Sequence, residues 1–397
     1  MTGELMHVGV ALAAATFVLS LAVCVYIYFG YPALIFVLSR LRPRPVRRGP
    51  ATPTVTVIVP VFNEEPVIEA KIRNSLELDY PADLLEVLIV SDGSTDGTEQ
   101  SVRHTSDTRV HLLSLSRRGK AFALNAGAES AGGEILVLTD ANTILEPGSL
   151  RAMVECFADP EVGGVCGIKS FVTAVGGDTT QQGEGLYWRY DNWQKQLESR
   201  IGSIFAADGS LYAVRRHLYV PIDDPAQADD IAISTRVVLQ GRRLIFEPRA
   251  VAYEVAPEEG KDELRRKVRV TNHSVRALLN LGADLWRSGF YSVELLSHKL
   301  VRHLIPFFLI PLFLSNLVLA PAHPFLLALL ILQIVFYALA GAGFLLRHSS
   351  FGSLPFFSIP YYFSLVNTAA FLGVLSILTG RRLDAWTPRS GIDSSGE

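Results

Sequence analysis

A short apolar run between Glu134 and Asn142 ends abruptly in polar residues, and it constrains the fold of this chain more than any other stretch. Its aliphatic and β-branched residues are too few for a helix, so we predict a buried strand. Open α/β sheets bind ligands outside the carboxyl ends of their strands, which is where Asp140 and Asn142 would lie. Residues i and i+2 of an extended segment point the same way, so both oxygens can reach one hard cation. Taken alone, the pattern also fits a polar turn that leaves a strand.

The residues around this run alternate between strand, loop and helix patterns. We predict strands at Val55–Val61, Leu84–Val90 and Val110–Leu115. Helical patterns cover Glu65–Leu78 and Lys120–Ala131. Such alternation predicts an α/β domain in which helices cover both faces of a mostly parallel central sheet.

The composition points to membrane segments as well as a soluble domain. The chain has 397 residues, of which 49% are hydrophobic, and a mean hydropathy of +0.29. That mean is high for a soluble protein. The formal net charge of -3 gives no sign of nucleic-acid binding. The three cysteines show no metal-binding spacing and fit a reduced, cytosolic main domain.

The N-terminal region, residues 1–48, is predicted to be a transmembrane anchor followed by a basic linker. Val8–Leu38 is almost uncharged and long enough to span a bilayer. A signal peptide is the alternative, but the run is longer than a signal-peptide core and shows no clear cleavage site before Arg40. Arginines cluster after the run, at Arg40, Arg42, Arg44, Arg47 and Arg48. The positive-inside rule therefore places this end in the cytoplasm and the N-terminus outside.

Residues 49–285 are predicted to form the cytoplasmic domain, and residues 286–397 an interfacial helix and a C-terminal transmembrane region. Tyr291–His303 has apolar residues at helical spacing and is predicted to lie flat at the membrane surface. Three apolar stretches follow it, at about Leu304–Ala320, Phe325–Leu346 and Phe356–Leu378. Their length favours membrane spans over buried core helices.

The sidedness of the C-terminus follows from the number of true spans. Four spans with an outside N-terminus would place the C-terminus outside as well. Arg381 and Arg382, after the last stretch, favour the cytoplasmic side instead. The two observations agree if one stretch, such as the proline-bearing Leu304–Ala320, is re-entrant or interfacial.

Polar side chains follow three of the predicted strands at the point where each strand ends. Asn63 and Glu64 follow the first strand, Asp92 the second, and Asp140 and Asn142 the strand described first. Each alone is common in helix caps and turns. Together they deliver carboxylates and amides to one edge of the sheet, which predicts a polar ligand site there.

Four motifs in this order identify a resemblance to a known family. They read Val-Thr-Val-Ile-Val-Pro-Val-Phe-Asn-Glu-Glu, Val-Ser-Asp-Gly-Ser-Thr-Asp-Gly-Thr, Gly-Lys-Ala-Phe-Ala-Leu-Asn-Ala-Gly and Thr-Asp-Ala-Asn. The chain resembles family 2 glycosyltransferases from Thr54 to about Arg276, and its flanking spans resemble the membrane-bound, polysaccharide-synthase branch. The resemblance implies a GT-A fold and inverting transfer of a hexosyl or N-acetylhexosaminyl group from a nucleotide-sugar.

The resemblance also implies roles for residues of the donor site. Asn63 and Glu64 would lie near the nucleotide, and Asp92 would hydrogen-bond the base, which is usually uracil in this family. Lys120 matches the basic residue of the Gly-Lys segment and would reach the nucleotide or its phosphates.

Asp140 and Asn142 occupy the positions of the family's D-x-D metal motif, so the resemblance implies a divalent cation, Mg²⁺ or Mn²⁺. Asp140 would contact both donor and metal. The second carboxylate is replaced here by the amide of Asn142. An amide oxygen still binds hard cations but brings no charge, so we expect weaker metal binding.

The acceptor side is expected to contain three aspartates. Asp229 and Asp230 match the last two residues of the family's Thr-Glu-Asp motif, and Asp208 lies in an acceptor-side segment. Inverting transfer needs a carboxylate to take the proton of the attacking hydroxyl, and Asp230 matches that base. Asp229 and Asp208 would contact the acceptor or shape its loops, while a helix cap and a turn are the structural alternatives.

Arg269 matches the arginine of the Gln-x-x-Arg-Trp motif found in processive members and would stabilise the departing diphosphate. Arg266 and Val270 replace the glutamine and tryptophan of that motif. The missing tryptophan argues against processive polymerisation. The neighbouring cations Arg265 and Lys267 fit either the site or a helix face against anionic lipid headgroups.

We therefore expect an integral protein of the inner or plasma membrane that transfers sugar from a UDP-sugar to a lipid-linked or growing glycan acceptor in polysaccharide assembly. The alternative is a non-catalytic subunit that binds nucleotide-sugar and regulates partner subunits of a glycan-synthesis complex. A transporter is disfavoured because the apolar stretches lack the buried charges of an ion or substrate path.

Overall fold

One mixed sheet organises the central domain. The computed structural model describes residues 2–172, 179–255, 261–349 and 351–381. In these ranges the strands are β1 Val55–Val61, β2 Leu85–Asp92, β3 Val110–Leu115, β4 Ile135–Leu138, β5 Thr143–Leu145, β6 Val162–Val172, β7 Tyr212–Arg215 and β8 Arg243–Val255. They form a single eight-stranded sheet in the order β3-β2-β1-β4-β7-β6-β8-β5.

The first four strands form the parallel half of the sheet that the alternating pattern predicts. β1 lies between β2 and β4, with Val55 opposite both Leu85 and Ile135. The second half is mixed, because β7 runs antiparallel to β4 and β6 whereas β6 and β8 are parallel. Parallel strands therefore supply one side of the sheet edge and antiparallel strands supply the other.

Helices cover both faces of the sheet, as predicted. The helices of the N-terminal region and domain are α1 Thr2–Val25, α2 Tyr31–Leu41, α3 Glu65–Leu76, α4 Thr98–Arg103, α5 Lys120–Ser130, α6 Ser149–Val154, α7 Thr179–Ile201 and α8 Asp229–Leu239. A π-helical turn, Tyr26–Gly30, joins α1 to α2. Alternate β1 side chains enter opposite cores, so Val57 and Val59 pack on one face and Ile58 on the other.

Helix α5 approaches the sheet closely because Gly127 has no side chain. A Cβ at Gly127 would lie 2.9 Å from Cγ2 of Ile58 and 3.0 Å from Cγ2 of Val90. This close packing fixes the start of α5, at Lys120, near the carboxyl ends of the parallel strands.

The C-terminal region is entirely helical where it is described. Its helices are α9 Lys261–Asn280, α10 Asp284–Arg287, α11 Phe290–Glu294, α12 Val301–Leu304, α13 Pro306–Leu319, α14 Pro324–Leu345 and α15 Pro355–Leu378. A π-helical segment, Leu295–Leu300, joins α11 to α12.

Three helices in the described part of the chain are long and apolar enough to cross a membrane: His7–Leu41, Pro324–Leu345 and Pro355–Leu378. Phe290–Leu304 and Pro306–Ala322 form a bent pair with an angle of 55°, which is either a fourth, broken span or a re-entrant loop. The proline-bearing stretch is thus bent relative to the helix before it, and its predicted re-entrant or interfacial position stays a prediction. Arg382 and the residues after it lie outside the described ranges.

Tyr291–His303 differs from the predicted helix lying flat at a membrane surface. Tyr291, Leu295 and His298 are buried. The Tyr291 hydroxyl donates to the carbonyl of Phe205 at 2.7 Å. The apolar face of this segment therefore packs on the central domain, which the spacing of its apolar residues cannot distinguish from packing on lipid.

Candidate active site

A cavity of about 880 Å³ lies at the carboxyl ends of the parallel strands and extends towards the C-terminal helices. It brings together most of the residues that the sequence analysis singled out. Those that border it are Glu64, Lys120, Asp140, Asn142, Asp208, Asp229, Asp230 and Arg269. Residues predicted to bind donor and residues predicted to bind acceptor thus share one cavity.

Lys120 links the two groups of residues. Its Nζ lies 2.8 Å from Oδ1 of Asp140 and 3.1 Å from Oδ2 of Asp229. Burial alone would lower the pKa of this amine, but the two carboxylates outweigh burial and raise its pKa above the ordinary value. The cavity therefore contains a permanently charged ammonium between the metal motif and the start of α8.

Asp140 and Asn142 present hard oxygen ligands to the cavity, which suits a divalent cation. Within the described ranges, no group of three or more His, Cys, Asp or Glu side chains could hold a metal ion. A cation held by this pair of oxygens would complete its coordination with ligands from substrate or water. Such a donor set fits a cation that bridges to phosphate oxygens.

A buried lysine lies behind the metal motif and was missed by the sequence analysis. Nζ of Lys71 donates to Oγ1 of Thr139 at 3.0 Å and to the carbonyl of Thr143 at 2.7 Å. Burial lowers its pKa to about 7, although Asp140 and Glu254 act in the opposite direction. No motif indicated Lys71, because it lies on α3 far from the motif in sequence.

Asp230 lies in the first turn of α8, with Oδ1 accepting from the backbone N–H of Ile231 at 2.8 Å. Burial, the neighbouring charge of Asp229 and that of Asp208 raise its pKa to about 6. A carboxylate with a pKa close to neutral, beside a cavity, suits proton abstraction, because it is ionised at pH 7 yet accepts a proton readily.

Asp208 is held in a tight turn before β7. Its Oδ1 accepts from the hydroxyl of Ser210 at 2.7 Å and from the backbone N–H of Ser210 at 3.1 Å. Burial acts to raise its pKa, but Lys169 and Lys195 outweigh it and keep the pKa low. Asp208 both shapes this turn and borders the cavity, so it presents a fixed negative charge to the site.

Helix α9 brings Arg269 to the same cavity. Burial and, second, the nearby charge of Arg266 lower its pKa. Arg266 and Lys267 both lie 2.7 Å from the carboxylate of Glu263, and Lys267 also donates to the Tyr362 hydroxyl at 3.0 Å. These contacts place Arg266 and Lys267 in the protein interior, against the alternative that Lys267 meets lipid headgroups.

Asp92, which is predicted to contact the base, lies behind the loop that precedes α5. The side chain is fully buried, is not part of the cavity lining, and accepts from the backbone N–H groups of Arg118 at 2.7 Å and Gly119 at 2.8 Å. It also pairs with Arg117, whose guanidinium lies 3.5 Å over the ring of Phe62. Asp92 thus orders the loop before α5, and its contact to the base stays a prediction.

Asn63 also lies outside the cavity lining. It has a positive φ of 53°, and its Oδ1 accepts from the backbone N–H of Thr95 at 2.8 Å. The left-handed conformation favours asparagine, and the side chain ties the loop after β1 to the loop after β2. Asn63 therefore shapes the rim of the site, while its neighbour Glu64 borders the cavity.

A buried ionic network between α7 and the segment before α13 was not predicted. Asp191 lies 3.0 Å from Nζ of Lys195, 3.1 Å from Nε2 of His298 and 3.4 Å from a guanidinium nitrogen of Arg302. Nδ1 of His298 lies 2.6 Å from Glu198. The α7 residues and their partners His298 and Arg302 are at least 100 positions apart, so no local motif could reveal the network.

Comparisons with known proteins support the same assignment. The family model for glycosyl transferase family 2 matches residues 56–219, which extend from Thr56 of β1 through β7 and include all of the four motifs except Val55. This part of the chain is a family 2 glycosyltransferase domain. The family assignment, the GT-A fold and the transferase class are thereby confirmed.

Two curated relatives of this family 2 glycosyltransferase are each 27% identical to it. The probable glycosyltransferase YdaM of Bacillus subtilis matches over 253 residues, which are 59% of this chain and 58% of that protein. The poly-beta-1,6-N-acetyl-D-glucosamine synthase of Staphylococcus aureus matches over 213 residues, 51% of this chain and 50% of that protein. The chain thus spans about half the length of the curated relatives that it matches.

A solved structure is similar over nearly the whole chain. It is the mannosyltransferase PcManGT from Pyrobaculum calidifontis, in complex with GDP-Man and Mn²⁺. The TM-score is 0.69 at 27% sequence identity, over 91% of this chain and 99% of that one. The similarity therefore extends beyond the central domain to the flanking helices of this family 2 glycosyltransferase.

Proposed function

We propose that this glycosyltransferase moves a sugar, with inversion, from a nucleotide-sugar to a lipid-linked or growing glycan acceptor in polysaccharide assembly. One observation carries the proposal: Lys120 joins the donor-side Asp140 to the acceptor-side Asp229 in a single cavity. A donor and an acceptor bound there would meet beside Asp230. That geometry suits direct displacement at the sugar carbon.

Each role follows from the position and charge of the residue. Asp230 takes the proton from the attacking acceptor hydroxyl, since its pKa of about 6 leaves it ionised at neutral pH. Lys120 and Arg269 present positive charge where the diphosphate departs. Asp208 and Asp229 orient the acceptor and its loop.

A divalent cation would be held by Asp140 and Asn142 and would neutralise charge on the diphosphate of the donor. The mannosyltransferase of similar fold was solved with Mn²⁺. The two hard oxygens of this chain accept either Mn²⁺ or Mg²⁺. We propose metal dependence and leave the choice of ion to measurement.

The donor nucleotide is proposed to be UDP, from the resemblance of the sequence to its family. The similar mannosyltransferase was solved with GDP-Man, which makes a GDP-sugar the second candidate. The buried carboxylate of Asp92 is committed to Arg117 and the backbone. It therefore favours neither base, and both donors belong in the same assay.

The membrane arrangement is proposed to place the catalytic domain, residues 49–285, in the cytoplasm. Residues 1–48 anchor the chain, and residues 286–397 carry the remaining spans. If the bent pair is re-entrant, three spans give an outside N-terminus and a cytoplasmic C-terminus. Both the arginine cluster after the first span and Arg381 then lie on the cytoplasmic side.

The alternative function is a non-catalytic subunit that binds nucleotide-sugar and regulates a membrane complex. The observation that favours it is the neutral Asn142 in the metal motif. The experiment is nucleotide release by detergent-purified full-length protein with Mn²⁺ or Mg²⁺, screened over UDP- and GDP-sugars with membrane lipids added as acceptors. Turnover of one donor supports the enzyme. If a donor binds but is turned over in none of these conditions, the result supports the regulatory subunit.

A further inference from the structure

The cavity continues past Asp230 to two basic side chains that the proposed chemistry leaves unused. Lys299 lies in the π-helical segment Leu295–Leu300, and His303 lies about one helical turn further on, in α12. Both border the cavity. Their four-residue spacing places them on one face of the helix.

Two lysines at this end of the cavity are paired. Lys169 lies 2.7 Å from Glu254, and Lys195 lies 3.0 Å from Asp191. By contrast, Nε2 of His303 is buried without a hydrogen-bond partner in the described residues. Lys299 makes no ion pair within 4.0 Å there; its ammonium lies 5.4 Å from the ring of Phe205 and interacts electrostatically with Asp230 and Asp191. A buried polar nitrogen without a partner is costly, and the neutral His303 ring donates from Nε2 in one of its two tautomers, so the two side chains are suited to an anion supplied by a ligand.

The surroundings of this pair indicate where the anion comes from. Tyr362 and Val366 of α15, a helix apolar enough to cross a membrane, border the same cavity. The proposed donor diphosphate has its own cations, Lys120 and Arg269, which border the same cavity. An anion beside Lys299 would instead lie near Asp230, the proposed base for the acceptor, and next to the apolar helix α15.

We propose that Lys299 and His303 form a subsite for the phosphate group of a lipid-linked acceptor. The phosphate accepts hydrogen bonds from both side chains, and the lipid chain leaves the cavity along α15. Charge-assisted hydrogen bonds to phosphate are the strong kind, which suits a group that must hold a mobile lipid in register. The inference rests on the proposed function, because the lipid is an acceptor only if the protein transfers sugar to it.

The test is equilibrium binding by the full-length protein in detergent, with no donor present. The probes are polyprenyl monophosphate, the uncharged polyprenol of equal length, and inorganic phosphate. The variants are Lys299→Gln with His303→Gln, each single change, Lys299→Arg, and Arg287→Gln as a matched control. Arg287 is exposed and does not border the cavity. Elution as a single species on gel filtration and binding of Mn²⁺–nucleotide report correct folding of each variant.

Wild-type protein is expected to bind the phosphate lipid at least about tenfold more tightly than the alcohol, as charge-assisted bonds imply. The double variant should lose this preference, Lys299→Arg should keep most of it, and Arg287→Gln should keep all of it. If the double variant does not fold, each single variant should still show a weaker preference for the phosphate lipid than the wild type does.

Equal affinity of the wild type for both lipids would overturn the proposal, as would a double variant that keeps the preference. Inorganic phosphate that binds as tightly as the lipid would overturn the lipid part and leave a site for soluble phosphate. The binding test does not depend on sugar transfer, which nucleotide release measures separately. A failure of the phosphate subsite is therefore distinguishable from a failure of the proposed function.

Discussion

The two sides of the cavity are built in different ways. The donor side is made by loops after β1, β3 and β4, so Glu64, Asp140 and Asn142 each lie within a few residues of the end of a buried strand. The acceptor side is made by helices from separate parts of the chain: α7 contributes Lys195, and the segment before α13 contributes Lys299. Sheet geometry places the first set, and tertiary packing of helices places the second.

The two sides also differ in how their charged side chains are paired. On the donor side, Lys120 pairs with Asp140 and Asp229, and we expect these contacts to be exchanged for contacts to substrate oxygens and metal. The acceptor side is stabilised by a closed network in which Asp191 meets three basic side chains. We expect substitutions on the donor side to affect activity first, and substitutions in the network to affect stability first.

The largest effect is expected for Asp191→Asn, which removes the charge at the centre of the network. Lys195, Arg302 and the His298 ring would lose their shared buried partner, which costs about 3–5 kcal/mol when a buried pair is broken. Thermal unfolding of the detergent-purified protein should show a clear fall in melting temperature.

The matched control for that variant is Asp79→Asn. Asp79 lies 2.8 Å from Arg151, but both side chains are about half exposed. Solvent screens such a pair, so its melting temperature should equal that of the wild type. Equal melting temperatures for the Asp191 and Asp79 variants would show that the network is not a stability centre.

The next largest effect is expected for Lys120→Gln. The variant leaves Asp140 and Asp229 without the ammonium between them and removes positive charge from the leaving diphosphate. Loss of one such electrostatic contact lowers the turnover rate by about 10²-fold. Steady-state kinetics should show the loss in both kcat and kcat/KM, because the lost contact stabilises charge that develops in the transition state. Lys120→Arg should recover part of the rate, and full activity in the glutamine variant would contradict the bridging role.

A smaller effect is expected in the pH dependence. Asp230 must be ionised to accept a proton, so the transfer rate should rise as pH increases through about 6. Asp208→Asn removes a negative neighbour that raises the pKa of Asp230, so the midpoint should move to lower pH. Asp223→Asn, exposed and away from the cavity, should leave the midpoint unchanged. A midpoint that moves to higher pH in the Asp208 variant would refute the assignment.

The smallest effect is expected for Asn142→Asp, which restores a second carboxylate to the metal motif. Added negative charge should tighten Mn²⁺ binding by about threefold to tenfold in the presence of nucleotide. A Mn²⁺ titration of nucleotide release measures it, with Gln100→Glu as a control, because Gln100 is an exposed amide outside the cavity. Unaltered or weaker Mn²⁺ binding in the Asn142 variant would show that this position does not contact the metal.

The parallel half of the fold could be predicted from sequence because its information is local. β1 and β3 begin and end where the apolar runs do, at Val55–Val61 and Val110–Leu115. Strand ends then place Asp140 and Asn142 at the cavity without further knowledge. The mixed half was not predicted, since β5 and β7 have three and four residues and their pairing is decided by distant partners.

Most of the predicted site residues border the cavity, but the sequence does not reveal every contact that they make. Asp92 matches a family motif, yet only the folded loop shows that its carboxylate is occupied by Arg117 and backbone N–H groups. Lys71 and Asp191 carry no motif, because Lys71 is paired only when α3 packs beside the end of β4, and Asp191 only when α7 meets the segment before α13. Spacing along the chain reports neighbours on one element, and it does not report contacts between elements.

The central claim is that Asp230 is the base of a sugar transfer in this cavity. The most direct measurement is a single-turnover assay of wild type and Asp230→Asn, each saturated with donor and Mn²⁺ before acceptor is added. The account predicts that the variant binds donor as tightly as the wild type and transfers sugar about 10²- to 10⁴-fold more slowly. Transfer by the variant at the wild-type rate would contradict the claim.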